Sequence, residues 1–222
     1  MRGRFITFEG GEGSGKSTQA KILASRLKSL GIRVVLTREP GGSPGAEAIR
    51  HVLLAGAAKP LGAHAEAILF AAARDDHLRQ TIRPALAAGT WVISDRFADS
   101  TRIYQGTLSN VDPRLISRLE RITVGDTKPD LTLVLDLPTE LGLARAASRC
   151  SNVAADRFET ERLEFYQRLQ QGYRDLVERE PKRCALIEAS ADTTTVAAAI
   201  WSVVTARLNP TEAVTIAEDA VP

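Results

Sequence analysis

Five short apolar runs, helical periodicity between them, and a glycine-dense loop at the first junction predict an α/β protein of three layers, a five-stranded parallel sheet flanked by helices. Strands that alternate with helices are joined by right-handed crossovers, which makes the sheet parallel. The apolar runs lack strict alternation, as strands covered on both faces do.

The first strand is "RFITFEG" from Arg4, and glycines end it. Beyond them Ala20, Leu23, Ala24, Leu27 and Leu30 recur at three- and four-residue steps, a helix that Gly31 can close. "RVVLT" from Arg33 is the second strand. Residues 63–88, rich in alanine and leucine, read as a long helix interrupted or bent at Pro84, which lacks an N–H. "WVISD" from Trp91 is the third strand. "VDPRLISRLERI" offers Asp112 as a helix cap and Pro113 in the first turn. "LTLVLD" from Leu131 is the fourth strand. From Thr160 on, Leu163, Tyr166, Leu169, Tyr173 and Leu176 mark one face of a helix that Pro181 stops. "CALIEA" from Cys184 is the fifth strand, and a last helix carries Val196, Ile200, Val203 and Val204. On this reading residues 1–208 form one domain, and residues 209–222, which show no period, form a flexible tail.

With 222 residues, 44% of them hydrophobic and 25% charged, the chain has the composition of a soluble globular protein. Its 29 basic and 27 acidic residues leave a formal charge of +2, which argues against a protein built to coat nucleic acid. Cys150 and Cys184 are far apart and in no CxxC pattern, so neither a disulfide framework nor a zinc site is expected. The opening "MRGRFITFEG" lacks the apolar run of a secretory signal, and no stretch reaches the length of a membrane span. The expected location is the cytoplasm, with no membrane and no nucleic-acid partner.

The glycine-dense loop reads "FEGGEGSGKST" from Phe8. Gly10-x-x-x-x-Gly15-Lys16-Ser17 matches the phosphate-binding loop, and a strand before it and a helix after it complete the P-loop NTPase fold. Gly10, Gly11, Gly13 and Gly15 let backbone N–H groups converge on an anion, and the following helix presents its positive end to it. Lys16 supplies a point charge at the β/γ-phosphates. Ser17 can hold Mg²⁺, and Glu12, Ser14 and Thr18 complete the expected ATP-binding stretch. A "TKPD" at residues 127–130 imitates the guanine-reading box of GTPases, but it precedes a strand and so belongs at the sheet edge away from ligands.

Further segments lie where an α/β sheet places ligands. "TREPGG" follows the second strand, and "DRF" ends the third, with "STRIYQG" after it. In "FAAAR" Phe70 and Arg74 share a helix face, a ring that stacks and a guanidinium that donates. Taken singly, Phe70 is more often plain core and Arg74 a solvated charge. The ordered set "FEGGEGSGKST", "TREPGG", "FAAAR", "GTWVISDRF", "STRIYQG" and "KPDLTLVLDLP" resembles the bacterial thymidylate kinases, nucleoside monophosphate kinases of the P-loop group, from near residue 5 to the helix ending near residue 180.

The resemblance implies transfer of the γ-phosphate of ATP to dTMP with Mg²⁺, in a homodimer. Phe70 would stack on thymine, Arg74 would hydrogen-bond its edge, and Thr101 and Gln105 would complete base recognition. Tyr104 would pack under the sugar, and Glu12 would reach its 3′-OH. Arg96, with Arg38 and Arg50, would grip the acceptor phosphate; Glu39 matches an acidic residue near the acceptor. Asp95 would stand with Ser17 near the metal, with Asp136 as the rival aspartate. A lid at about residues 144–160 carries Arg145, Arg149 and Arg157. Some thymidylate kinases place an arginine in the P-loop where this chain has Gly13, so the resemblance is to the class that supplies it from the lid, with Arg149 and Arg157 the expected donors. The acceptor phosphate is largely ionised at neutral pH, so no strong base is needed. The three histidines, His51, His64 and His77, are accordingly expected in no triad-like setting. Two other readings stand beside this one: a deoxynucleoside kinase of related fold, and a non-catalytic P-loop switch.

Overall fold

β1 (Phe5–Gly10) runs through the middle of a five-stranded, all-parallel sheet. The computed structural model describes residues 2–148 and 163–210. The strand order is β2 (Val34–Arg38), β3 (Trp91–Asp95), β1, β4 (Leu131–Asp136) and β5 (Cys184–Glu188). The chain goes from β1 to an edge, returns to β3, and crosses β1 to reach β4. The carboxyl ends of β1 and β3 therefore open side by side, the place where such sheets bind ligands. The five apolar runs fall on the five strands, within a residue at either end.

Period-two alternation divides the core. Ile6, Phe8, Ile93, Leu131, Leu133 and Leu135 face one layer, where α1 (Lys16–Ser29) and α9 (Thr193–Leu208) cover them with Leu23, Leu27, Ile200 and Val204. Each such side chain, fully buried, contributes roughly 1.5–3 kcal/mol of apolar burial. Phe5 and Val92 face the other layer, against Leu78, Ile82, Leu86 and Phe97. Val134 meets α8 (Leu163–Arg179) through Leu169, Tyr173 and Leu176. Thr7 and Glu9 also face this second layer but are polar; Thr7 Oγ1 is 2.8 Å from Thr132 Oγ1.

The helices begin and end where their sequences dictate. Gly31, at φ 80°, donates its N–H to the Lys28 carbonyl and closes α1. α2 (Pro44–Leu54) packs on α3 (Gly62–His77), which carries Phe70 and Arg74. The long segment stays helical past Pro84: residues Leu78–Ile82 widen to a π-turn in which the Arg83 N–H reaches the Leu78 carbonyl, and α4 (Arg83–Ala87) follows. That change of register accommodates the donor missing at the proline. α5 (Ala98–Thr101) continues into a second π segment, Arg102–Leu108. α6 (Pro113–Thr123) starts on Asp112, whose side chain accepts the Arg114 N–H. α7 (Thr139–Ala147) leads toward residues 149–162. No single helix among the described residues is long and apolar enough to cross a membrane. The "TKPD" segment sits at the amino edge of the sheet, where Asp130 accepts the Phe5 N–H at 2.7 Å.

Candidate active site

The P-loop turns from β1 into α1 and places Lys16 over its own mouth. The ammonium donates to the carbonyls of Gly10 (3.1 Å) and Gly11 (2.7 Å), and Ser14 Oγ donates to Gly11 O at 2.9 Å. Burial pushes the Lys16 ammonium down to about 8, with the Arg96 guanidinium adding to the effect and Glu12, Asp95 and Glu9 opposing it. Such a lysine is short of negative charge and is poised to gain from a phosphate. Gly15, Ser17 and Thr18 line the same side of the cleft.

Ser17 Oγ donates to the Asp95 carboxylate at the end of β3, so a hydroxyl and a carboxylate oxygen stand together beside Lys16. Two hard oxygen donors on rigid elements suit Mg²⁺. Asp136, the rival, is engaged elsewhere: Gln170 Nε2 donates to it at 2.7 Å and Arg174 Nη2 at 2.8 Å, both from α8.

One cavity of about 260 Å³ joins the loop to the acceptor residues expected from the sequence. Glu12, Arg38, Glu39, Arg50, Phe70, Arg74, Arg96, Thr101, Tyr104 and Gln105 all line it, together with Lys16, Ser17 and Asp95. Arg74 is buried. Its Nε donates to Glu39 Oε2 at 2.8 Å, and its Nη2 to Thr101 Oγ1 at 2.9 Å and to the Phe97 carbonyl at 3.2 Å. Arg96 has φ 70°, a left-handed conformation that a non-glycine residue holds only when its surroundings require it. It pairs with Glu12, and its guanidinium lies 5.2 Å from the Tyr104 ring centre. The Tyr104 hydroxyl is 3.3 Å from the same Glu12 carboxylate. Arg38 pairs with Glu47 at 3.0 Å, and Arg50 Nη1 donates to the Pro40 carbonyl at 2.6 Å. The cleft thus gathers four arginines, three of them held by the carboxylates of Glu39, Glu12 and Glu47 and Arg50 by the Pro40 carbonyl.

Two residues at the site were not anticipated. Glu9, within β1, is fully buried and accepts from Phe97 N–H (2.8 Å), Ser100 Oγ (2.6 Å) and the Tyr173 hydroxyl (2.9 Å). Burial, then the Asp99 carboxylate, raises its carboxyl to about 7, while Arg96 and the Ser100 and Phe97 hydrogen bonds pull it back. A carboxylate in an otherwise apolar strand was the available signal. The second is His77. Contrary to expectation, it stands in a triad-like order, fully buried, with Nδ1 3.1 Å from Glu39 Oε1 and Nε2 2.7 Å from Thr37 Oγ1. Its spacing of three from Arg74 put both on one helix face. Among the other histidines, His51 lies in α2 and His64 in α3.

The segment expected to form a lid is described only to residue 148. Arg145 lies within α7 and donates to the carbonyls of Ala189 and Ser190, both at 3.2 Å. Arg149 and Arg157 lie outside the described residues, as does most of the tail. The helix α7 that leads into that segment bears on the P-loop. A Cβ at Gly13, which has φ 72°, would lie 2.0 Å from the Gly142 carbonyl oxygen of α7, and one at Gly142 would lie 2.7 Å from the Glu12 carbonyl oxygen. Two glycine backbones therefore meet directly, and no side chain fits at position 13.

A model of the thymidylate kinase family matches residues 8–200. The chain is similar to a thymidylate kinase of Nitrobacter hamburgensis, 59% identical over 202 residues that cover 91% of this chain and 88% of the relative. It is also similar to one of Bradyrhizobium diazoefficiens, 59% identical over 212 residues that cover 96% and 93% of the two chains. Among solved structures it is similar to the crystal structure of thymidylate kinase from Ehrlichia chaffeensis, with a TM-score of 0.73 and 34% identity over 92% of this chain and 99% of that one.

Proposed function

The chain belongs to the thymidylate kinase family, and on that premise we propose how its cleft performs the family's reaction. It phosphorylates dTMP to dTDP with ATP as donor. The observation that supports this assignment of roles is that Lys16 and the Phe70–Arg74 face line one and the same cavity, an arrangement suited to two nucleotides held phosphate to phosphate.

The triphosphate takes the P-loop, with its β/γ-phosphates at Lys16 and the amino end of α1. Ser17 and Asp95 would hold Mg²⁺, which would supply neutralising charge there. dTMP lies with its base between Phe70 and the Arg74, Thr101 and Gln105 edge, its sugar over Tyr104 and Glu12, and its phosphate among Arg96, Arg38 and Arg50. The nucleophile is an ionised phosphate oxygen, so the protein's task is to bring two polyanions together. Two unit charges 4 Å apart repel by about 4 kcal/mol at an effective dielectric near 20. Arginine forks offset that repulsion and fix attack in line. Arg38 and Arg96 are held by Glu47 and Glu12 until the acceptor phosphate competes for them.

Residues 1–208 act as one domain with a lid at about 144–160, from which Arg149 or Arg157 reaches the transferred phosphoryl group; the close seat of α7 on the loop supports delivery from outside the loop. The family resemblance supports a homodimer working in the cytoplasm. The arginines at the acceptor end favour a monophosphate over a neutral nucleoside. An ADP-release assay offering dTMP, dUMP, dCMP and thymidine is expected to give the highest kcat/KM with dTMP; exclusive use of thymidine would overturn the reading.

A further inference from the structure

The Glu39–His77–Thr37 chain has no role in the proposed phosphate chemistry, yet Glu39 lines the cleft and His77 and Thr37 are tied in behind it. Its order, carboxylate to imidazole to hydroxyl, is that of an activated nucleophile. The hydroxyl is sealed, however. A Cβ at Gly42 would lie 2.3 Å from Thr37 Oγ1 and 2.4 Å from His77 Nε2, so the Gly42 backbone closes over both groups and leaves no space for a reacting carbonyl. The chain leads in the other direction.

A carboxylate only accepts, so His77 Nδ1 donates to Glu39 Oε1 (3.1 Å), while Glu39 Oε2 receives Arg74 Nε (2.8 Å). Arg74 and His77 both come from α3, and Glu39 comes from the segment after β2. Thr37, at the end of β2, anchors the far side of the imidazole. Arg74 is therefore clamped along its Nε/Nη2 edge by Glu39, Thr101 and the Phe97 carbonyl, and Nη1 makes no hydrogen bond to the described residues. A guanidinium is donor-only. A pyrimidine with a carbonyl at C4 accepts from it; one with an amino group there presents donor to donor.

We infer that His77 is a positioning residue: by fixing Glu39 it sets the aim of Arg74 and so enforces selection of a keto over an amino group at C4 of the pyrimidine. This rests on the reading that Arg74 meets the base. The methyl at C5 lies outside the relay, so discrimination between dTMP and dUMP does not depend on it.

The test is steady-state kinetics of the whole protein with ATP and each of dTMP, dUMP and dCMP. His77→Leu is expected to raise the KM for dTMP and dUMP about tenfold, the loss of a hydrogen bond to a charged group, with the KM for ATP unchanged. The ratio of kcat/KM for dTMP over dCMP shrinks, and that for dTMP over dUMP stays. His77→Gln, whose amide can donate to Glu39 and accept from Thr37, restores most of the loss. An unchanged dTMP-to-dCMP ratio in His77→Leu, an equal loss with every nucleotide, or no rescue by glutamine would overturn the inference. If His77→Leu does not fold, Thr37→Val removes only the distal anchor, and the same pattern at smaller amplitude is required. Arg74→Ala separates the two levels. If it and His77→Leu both leave the dTMP KM unmoved, the base-site reading fails; if Arg74→Ala alone raises it, only the inference about His77 fails.

Discussion

Lys16 gives the most direct residue-level test. Its ammonium, held down to about 8 by burial, gains negative partners when a triphosphate arrives, so its folded pKa should rise on binding. ATP binding at pH 8.5 is then expected to take up a proton, seen as a dependence of the calorimetric enthalpy on buffer ionisation, and that dependence should shrink at pH 7.5, where most of the ammonium is already protonated. Equal enthalpies in all buffers at pH 8.5 would assign the proton elsewhere. The two aspartates make a second test. Asp95→Asn is expected to lower kcat by at least tenfold and to raise the Mg²⁺ concentration for half-maximal rate. Asp136→Asn, which weakens the grip of Arg174 and Gln170, should leave the Mg²⁺ requirement unchanged and lower the Tm by a few degrees. Phe70→Ala should raise the KM for dTMP tenfold or more with little change for ATP, if the half-buried ring at the cavity wall meets the acceptor base as proposed.

The elements show what the sequence made legible and what it did not. β3 and β4 match their apolar runs because a strand covered on both faces has a local signature. The P-loop and the Phe70–Arg74 pair are likewise short-range patterns. Glu9 and His77 escaped because their meaning is long-range: Glu9 meets Tyr173 across 164 positions, and His77 meets Glu39 across 38. The π segment Arg102–Leu108, which sets the facing of Tyr104 and Gln105, escaped because its periodicity differs from a helix by a single register step. The contact between α7 and the P-loop depends on two glycines 129 positions apart. Gly142→Ala should force α7 off the loop, with about 1–3 kcal/mol of lost stability by overpacking and a lower kcat, read by denaturant unfolding and turnover.

Across the whole molecule, Glu9 joins β1, the turn at Arg96–Phe97, α5 and α8 through one buried carboxyl. Its folded pKa of about 7 lies above the ordinary 4.5, so the fold binds this proton more tightly than the unfolded chain does. The stabilisation is complete below pH 4.5 and is lost as pH rises through 7. The Tm of the wild type minus that of Glu9→Gln is therefore expected to fall between pH 5 and pH 7.5; a flat difference would mean that Glu9 folds already ionised. The back-to-back glycines at 13 and 142 have a different consequence, for fidelity rather than for rate. On the proposed reading, in which the lid arginine arrives only on closure, a loop with no room for its own guanidinium leaves bound ATP short of one counter-charge. Water, present in every open complex, then meets an under-stabilised γ-phosphate, and spontaneous loss of ATP without acceptor should run about a thousandfold or more below transfer.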